Sequence, residues 1–268
     1  MKRLKSLDHI FGGTLCLLAV TASLICASAQ TGAAQPANAP IANNVLLVHG
    51  AWADGSSWAR VIPRLTAAGL NVVAVQIPLT SLADDVAATE RAITLVDGPV
   101  LLVGHSYGGA VITEAGNDPK VVGLVFVAAF APNKGESSLS LATANPTPGG
   151  GEIRADTSGF LKLTPTGIFD DFAQDLSKAR KTVLNATQVP IAGAALGAPA
   201  QNPSWQTKPT WFVIAANDRS VSPQLQAMEA ARMNATTITV PTSHVAMLAE
   251  PGRIARFIMW AAGRSEER

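Results

Sequence analysis

The chain has 268 residues, of which 48% are hydrophobic and 15% charged, with a formal net charge of +1. That length suits one or two domains and can bury a core without disulfides or metals. The apolar fraction excludes intrinsic disorder. Near-neutral charge and 5% aromatic content supply neither the basic stripe nor the stacking surface of a nucleic-acid binder.

The chain opens with Lys2, Arg3 and Lys5, runs apolar from Ile10 to Cys26, and reaches the small-x-small pattern Ala27-Ser28-Ala29. A basic start, an apolar run and small residues at a cleavage position make the layout of a secretory signal peptide. The expectation is cleavage after Ala29 and export to a periplasm or the medium. An uncleaved anchor would need ~20 mostly apolar residues, and this run is short and interrupted by Gly12, Gly13, Thr14, Thr21 and Ser23, so no stable membrane anchoring is expected. A lipid-anchored reading would use Cys26, but the bulky Ile25 stands before it. Cleavage removes three basic residues and one acidic residue, leaving a formal charge of −1, and takes away both Cys16 and Cys26. The mature chain then has no disulfide, no thiolate nucleophile and no cysteine-ligated metal. Residues 30–43, rich in Ala, Pro, Gln and Asn, read as a flexible lead-in.

From Asn44 onward strand and helix patterns alternate. Val45–Val48 is a short apolar strand ending at His49-Gly50. Trp58, Val61, Ile62 and Leu65 recur at helical spacing up to Gly69, with Pro63 in the first turn or at a kink. Val72–Val75 is the next strand. Ser81 can cap a helix whose apolar face includes Val86, Ile93 and Val96. Val100–Val103 is a third strand, a helix follows through Val111 and Ile112, and Val121–Phe130 reads as a long buried strand. Residues 210–216 form another, Leu225 and Met228 mark a helix, the β-branched run 236–240 is the last strand, and Ile254, Phe257, Ile258 and Ala261 give a closing helix. Short apolar strands alternating with helices define an α/β fold, a mostly parallel central sheet with helices on both faces. The alternation breaks over residues 131–208, a stretch too long for a loop, with helix expected around Phe169–Leu184. It reads as an inserted cap over the sheet's C-terminal edge, leaving 44–130 and 209–268 as the core.

Gly104-His105-Ser106-Tyr107-Gly108 lies between a predicted strand and a predicted helix. A serine on such a turn is pushed into the open, and glycines flank it because side chains there would collide. A serine hydroxyl needs a base. Of the four histidines, His9 leaves with the signal peptide. His105 should point away from its neighbour, and His49 belongs to the first strand's loop. His244, after the last strand, opens at the same sheet edge as Ser106. The acid that orients the base is expected at Asp218, after the strand ending at Ala216, with Asp118 as a weaker rival beside Pro119. Oxyanion donors are expected from the N–H of Tyr107 and from Ala51 or Trp52, with Gly50 letting backbone approach the substrate. Trp58 reads as packing.

Together these features resemble the α/β-hydrolase superfamily from about Asn44 to Ala262. Val48-His49-Gly50-Ala51-Trp52 and Ser243-His244-Val245-Ala246-Met247-Leu248 are similar to the branch of plant methylesterases and hydroxynitrile lyases. The resemblance implies a carboxylesterase-type reaction with an acyl-serine intermediate and no cofactor; the neutral, apolar composition near the site motifs points to a small, uncharged, fairly hydrophobic ester, and no metal is expected. Hydroxynitrile lyases of that branch carry threonine at the position of Gly50 and lysine at that of Val245, which argues against cyanohydrin chemistry here. Serine rather than aspartate at 106 argues against epoxide hydrolase or haloalkane dehalogenase chemistry. A cofactor-free haloperoxidase or perhydrolase would use the same three residues, and a non-catalytic ligand-binding homologue would keep only the fold.

Overall fold

The computed structural model describes residues 41–264. The expected signal peptide and most of the lead-in lie outside that range. The last lead-in residues do not hang free: Ala42 is fully buried and its N–H donates to the carbonyl of Ala262 at 3.0 Å.

In chain order the first half comprises β1 (Asn44–Val48), a 3₁₀ turn (Gly55–Trp58), α1 (Ile62–Ala67), β2 (Asn71–Val75), α2 (Leu82–Thr94), β3 (Val100–His105), α3 (Gly108–Ala115) and β4 (Val121–Val127). The single helix expected from Trp58 to Leu65 is thus two pieces. Pro63 sits in the first turn of α1, where its missing N–H is not needed. Ser81 caps α2 as expected, accepting from the Asp84 N–H, but Val96 lies beyond the helix end. The long strand expected to Phe130 stops at Val127, because Ala128 takes a left-handed φ of 46° and turns the chain.

The insertion follows as α4 (Ser138–Ala144), β5 (Ile153–Ala155), β6 (Phe160–Leu163), a π-helical turn (Gly167–Phe172), α5 (Lys178–Ala186), β7 (Ile191–Ala192) and α6 (Gly193–Gly197). The expected helix over 169–184 corresponds to the π turn and α5. The three strands, which pair antiparallel as β5-β6-β7, were not expected. The core resumes with β8 (Thr210–Ala215), α7 (Pro223–Arg232), β9 (Thr236–Val240), α8 (Ala246–Ala249) and α9 (Pro251–Ala261).

The central sheet has six strands in the order β2-β1-β3-β4-β8-β9, every neighbouring pair parallel. Alternate residues along each strand face opposite layers. Leu46, Val48, Leu102, Phe126 and Phe212 pack with residues of α2, α3 and α7, including Ile93, Val111 and Ala230. Val45, Leu47, Leu101, Val103, Val125 and Val213 pack with Leu65 of α1 and with Ile254, Phe257, Ile258 and Ala261 of α9. Two apolar faces explain why the strand sequences read as unbroken hydrophobic runs. After β1 the chain moves outward to β2, then returns to place β3 on the other side of β1. The loops after β1 and β3 therefore diverge, opening a crevice at the C-terminal strand ends, where open α/β sheets bind ligands. Among the described residues no helix is long and apolar enough to cross a membrane.

Candidate active site

Ser106 sits between β3 and α3 with φ of 54°. A non-glycine residue held in that left-handed region costs on the order of 1–3 kcal/mol and persists only where its surroundings enforce it. Here the turn is locked from both sides. The Ser106 N–H donates to the Val127 carbonyl at 3.2 Å, and its own carbonyl accepts from Gly109 at 2.9 Å and Phe130 at 3.1 Å. The flanking glycines are required sterically. A Cβ on Gly104 would stand 2.5 Å from the Gly108 carbonyl oxygen, and one on Gly108 would stand 2.6 Å from that of His49. A Cβ on Gly50 would lie 2.7 Å from the Ser106 Cβ, which leaves no room for threonine at position 50.

His244 and Asp218 meet as expected. The His244 Nδ1 lies 2.7 Å from Asp218 Oδ2, with both side chains fully buried. Asp218 Oδ1 accepts the N–H groups of Ser220 and Val221 at 2.8 and 2.9 Å. With Nδ1 facing a carboxylate, Nε2 of His244 is left buried and without a hydrogen-bond partner. Ser106 and His244 both line one cavity of about 290 Å³. Ala51, Trp52 and Tyr107 line the same cavity, and Asp218 is joined to it through His244. The rival Asp118 is remote. It lies in the turn between α3 and β4, at the opposite edge of the sheet, and accepts from the Lys120 N–H at 2.8 Å.

The other two described histidines serve the frame. His49 is buried, faces the Gly50 carbonyl through Nδ1 at 2.9 Å and accepts the Ile77 N–H on Nε2 at 3.2 Å. Burial lowers its pKa, so the neutral ring is favoured. His105 points away from the cavity. Its Nε2 stands 3.0 Å from the His244 carbonyl, its ring packs edge-on to Trp58 and lies 4.6 Å from the His244 ring. Burial, with the neighbouring His244 second, holds its pKa well below the ordinary value. As a neutral ring with Nε2–H donating, His105 fixes the backbone that carries His244. Trp58 is fully buried packing, as expected.

Several neighbours of these residues gave no sequence signal. Gln226 of α7 is fully buried. Its Nε2 donates to Asp218 Oδ2 and to the Val221 carbonyl, both at 2.8 Å, and its Oε1 accepts from Ala215 at 2.9 Å. From the insertion, Asp175 accepts the N–H and hydroxyl of Ser243 at 2.7 and 2.5 Å. Asp171 pairs with Arg219 at 2.7 Å. Trp52, whose φ is 59°, donates its indole N–H to the Leu161 carbonyl at 2.9 Å and packs edge-on to Phe172. The rest of the cavity wall is mostly apolar and includes Phe130, Leu139, Ile153, Leu163, Leu196 and Val221. None of its lining residues is Asp, Glu, Lys or Arg.

A parallel sheet that carries a serine on a strained, glycine-flanked strand-to-helix turn is the architecture of the α/β hydrolases. Residues 45–257 match the Alpha/beta hydrolase family, and the chain belongs to it. A probable hydrolase, R7, of a Phoma species is 28% identical over 204 residues, covering 68% of this chain and 80% of that one. A carbendazim hydrolyzing esterase of a Nocardioides strain is 35% identical over 114 residues, 37% of this chain and 46% of that one. The crystal structure of a pyrethroid hydrolase from Sphingobium faniae superposes with a TM-score of 0.73 at 19% identity, covering 83% of this chain and 98% of that one. At that identity the superposition speaks for the fold.

Proposed function

We propose that the protein is an exported serine esterase acting on a small, uncharged, fairly hydrophobic carboxylic ester. One observation carries this reading: a buried histidine has one ring nitrogen on a carboxylate and the other unpartnered, in the cavity that Ser106 lines. In the proposed reaction Ser106 Oγ attacks the ester carbonyl as His244 Nε2 takes its proton. Asp218 holds the His244 tautomer and stabilises the imidazolium. The N–H of Tyr107 and that of Ala51 or Trp52 receive the oxyanion. His244 then protonates the leaving alcohol, activates water against the acyl-serine, and the acid departs. The uncharged wall favours a neutral substrate, since a buried unpaired charge would be costly there. The esterase and hydrolase names of the relatives support ester cleavage, and Gly50 and Val245 support hydrolysis over cyanohydrin chemistry. Export rests on the N-terminal layout alone.

The test is hydrolysis of short and medium p-nitrophenyl esters by purified mature protein beside Ser106→Ala. Loss of the nucleophile should lower kcat by several orders of magnitude, toward the ~10³–10⁴-fold over water that binding and oxyanion donors alone sustain. Undiminished activity in Ser106→Ala would overturn the mechanism.

A further inference from the structure

The peptide unit between Ser106 and Tyr107 is held at more points than a strand-to-helix turn needs. Its carbonyl is gripped by two donors, the N–H groups of Gly109 and Phe130. In a trans peptide N–H and C=O point in opposite directions. Two bonds on the carbonyl side therefore aim the Tyr107 N–H the other way. They leave one freedom, a rocking of the peptide plane about its own axis. The Tyr107 side chain stands where it can stop that motion. It is buried to 1% exposure and does not end in solvent: its hydroxyl donates to Asp85 Oδ2 at 2.7 Å.

Asp85 is itself an unusual residue to find there. It lies in the first turn of α2 and is fully buried, and its remaining oxygen accepts the Leu79 N–H at 2.7 Å. Leu79 takes a left-handed φ of 60°, and its carbonyl accepts from Ala192 of β7 at 2.9 Å. A buried carboxylate is costly unless every lone pair facing the interior is used. Burial accordingly pushes the Asp85 pKa up against the pull of its two donors. Asp85 makes no hydrogen bond to Ser106, Asp218 or His244, and a phenylalanine at 107 paired with an apolar residue at 85 would fill the same space more cheaply. The geometry points to Asp85 as a positioning residue for the oxyanion site, fixing through the Tyr107 hydroxyl the tilt of the peptide whose N–H faces the reacting carbonyl. The Leu79–Ala192 bond extends that brace to the insertion, so the donor's orientation is referenced to the element that covers the substrate.

This inference rests on the proposed esterase reading, and the experiment separates the two. Tyr107→Phe, Asp85→Asn and the double variant are compared with the wild type. Two readouts are taken: the rate at which a fluorophosphonate labels Ser106, and kcat and KM on a p-nitrophenyl ester. Complete loss of one oxyanion donor costs about 10²–10³ in kcat. A donor that is mis-tilted but present should cost less, about tenfold to a hundredfold. The expected result is that each single variant lowers kcat and the labelling rate by that factor with KM within twofold. The double variant should be no worse than the poorer single, because the two groups act as one unit. If Tyr107→Phe folds poorly with the Asp85 charge left unpaired, the double variant, which also removes that charge, carries the test. Wild-type kcat and labelling rate in the double variant would overturn the inference, as would a change confined to KM or to Tm. Failure of wild-type Ser106 to react with the fluorophosphonate would bring down the esterase reading and this inference with it.

Discussion

Glu229 gives a stability effect whose sign and size follow from its surroundings. It lies on α7 with its side chain fully buried. One oxygen accepts the Ala131 N–H at 2.9 Å, where the chain leaves the core for the insertion, and the other has no partner. Arg232 lies 3.8 Å away but is engaged by both carboxylate oxygens of Glu136, at 2.9 and 3.0 Å, and by the Ala131 carbonyl. Burial therefore outweighs the pull of the Ala131 N–H and the arginine, and Glu136 adds repulsion, pushing the Glu229 pKa up to about 8 from an ordinary 4.5. Between those values the folded protein holds a proton that the unfolded chain has released. The stability this proton confers is complete below the unfolded pKa and is lost as pH rises to the folded one. The slope is about 1.4 kcal/mol per pH unit, so the loss across the window reaches about 5 kcal/mol. Glu229→Gln keeps an acceptor for Ala131 and removes the titration. Urea unfolding of both proteins at pH 5, 7 and 8.5 measures the difference. The variant's advantage should grow by about 4 kcal/mol from pH 5 to pH 8.5, after any constant offset from the new amide cancels. An equal difference at pH 5 and pH 8.5 would refute the reasoning.

Two further substitutions probe the frame of the site. Gly108→Ala places a Cβ 2.6 Å from the His49 carbonyl and 2.7 Å from that of Val48, backbone that cannot swing aside. Overpacking of this kind costs about 1–3 kcal/mol, so calorimetry should show Tm lowered by about 2–10 °C, and an unchanged Tm would contradict the packing argument. Gln226→Leu deletes three buried hydrogen bonds, one of them to Asp218 Oδ2. Stability should fall by about 2–4 kcal/mol in urea unfolding, and kcat on a p-nitrophenyl ester should fall about tenfold or more with KM little changed. A kcat within twofold of wild type would show that Asp218 needs no such support.

The core was legible because burial on both faces leaves a continuous apolar signal, as in Val100–Val103 and Val45–Val48. The grouping of the candidate site residues was legible for a related reason. In a parallel sheet every loop after a strand opens at one edge, so Ser106, Asp218 and His244 could be brought together from order and position alone. What failed was local and tertiary. Phe130 continued the apolar run past Val127, but the reversal at Ala128 has no compositional marker. Strands of two to four residues such as β5, β6 and β7 are too short for period-two alternation to register, and β5 is largely exposed. Gln226, Asp85 and Asp175 are polar residue types that composition assigns to solvated surfaces. Only the folded chain shows that Gln226 and Asp85 turn inward to groups at the site, and that Asp175, at the surface, reaches Ser243 beside His244.

The insertion's illegibility matters because, under the proposed esterase reading, catalysis and selectivity are joined there. The side of the cavity that holds Ser106 and His244 comes from core loops. The facing wall comes from the insertion, through Leu139, Ala142, Pro146, Ile153, Leu163 and Leu196. The insertion is tied to four core loops. Leu161 holds Trp52 after β1, and Ala192 holds Leu79 after β2. Asp171 and Gly149 hold Arg219 after β8, and Asp175 holds Ser243 after β9. A residue that reshapes the wall without touching these bonds can change which ester fits while leaving the chemistry intact. A change at any of the anchors moves a core loop as well, and under the proposed reading its effect on substrate choice arrives with a loss in kcat. Leu139, half-exposed on α4 and hydrogen-bonded through its carbonyl only within its own helix, belongs to the first group. Trp52 belongs to the second, since it lines the cavity while its indole N–H is bound to Leu161 and its backbone is a proposed oxyanion donor.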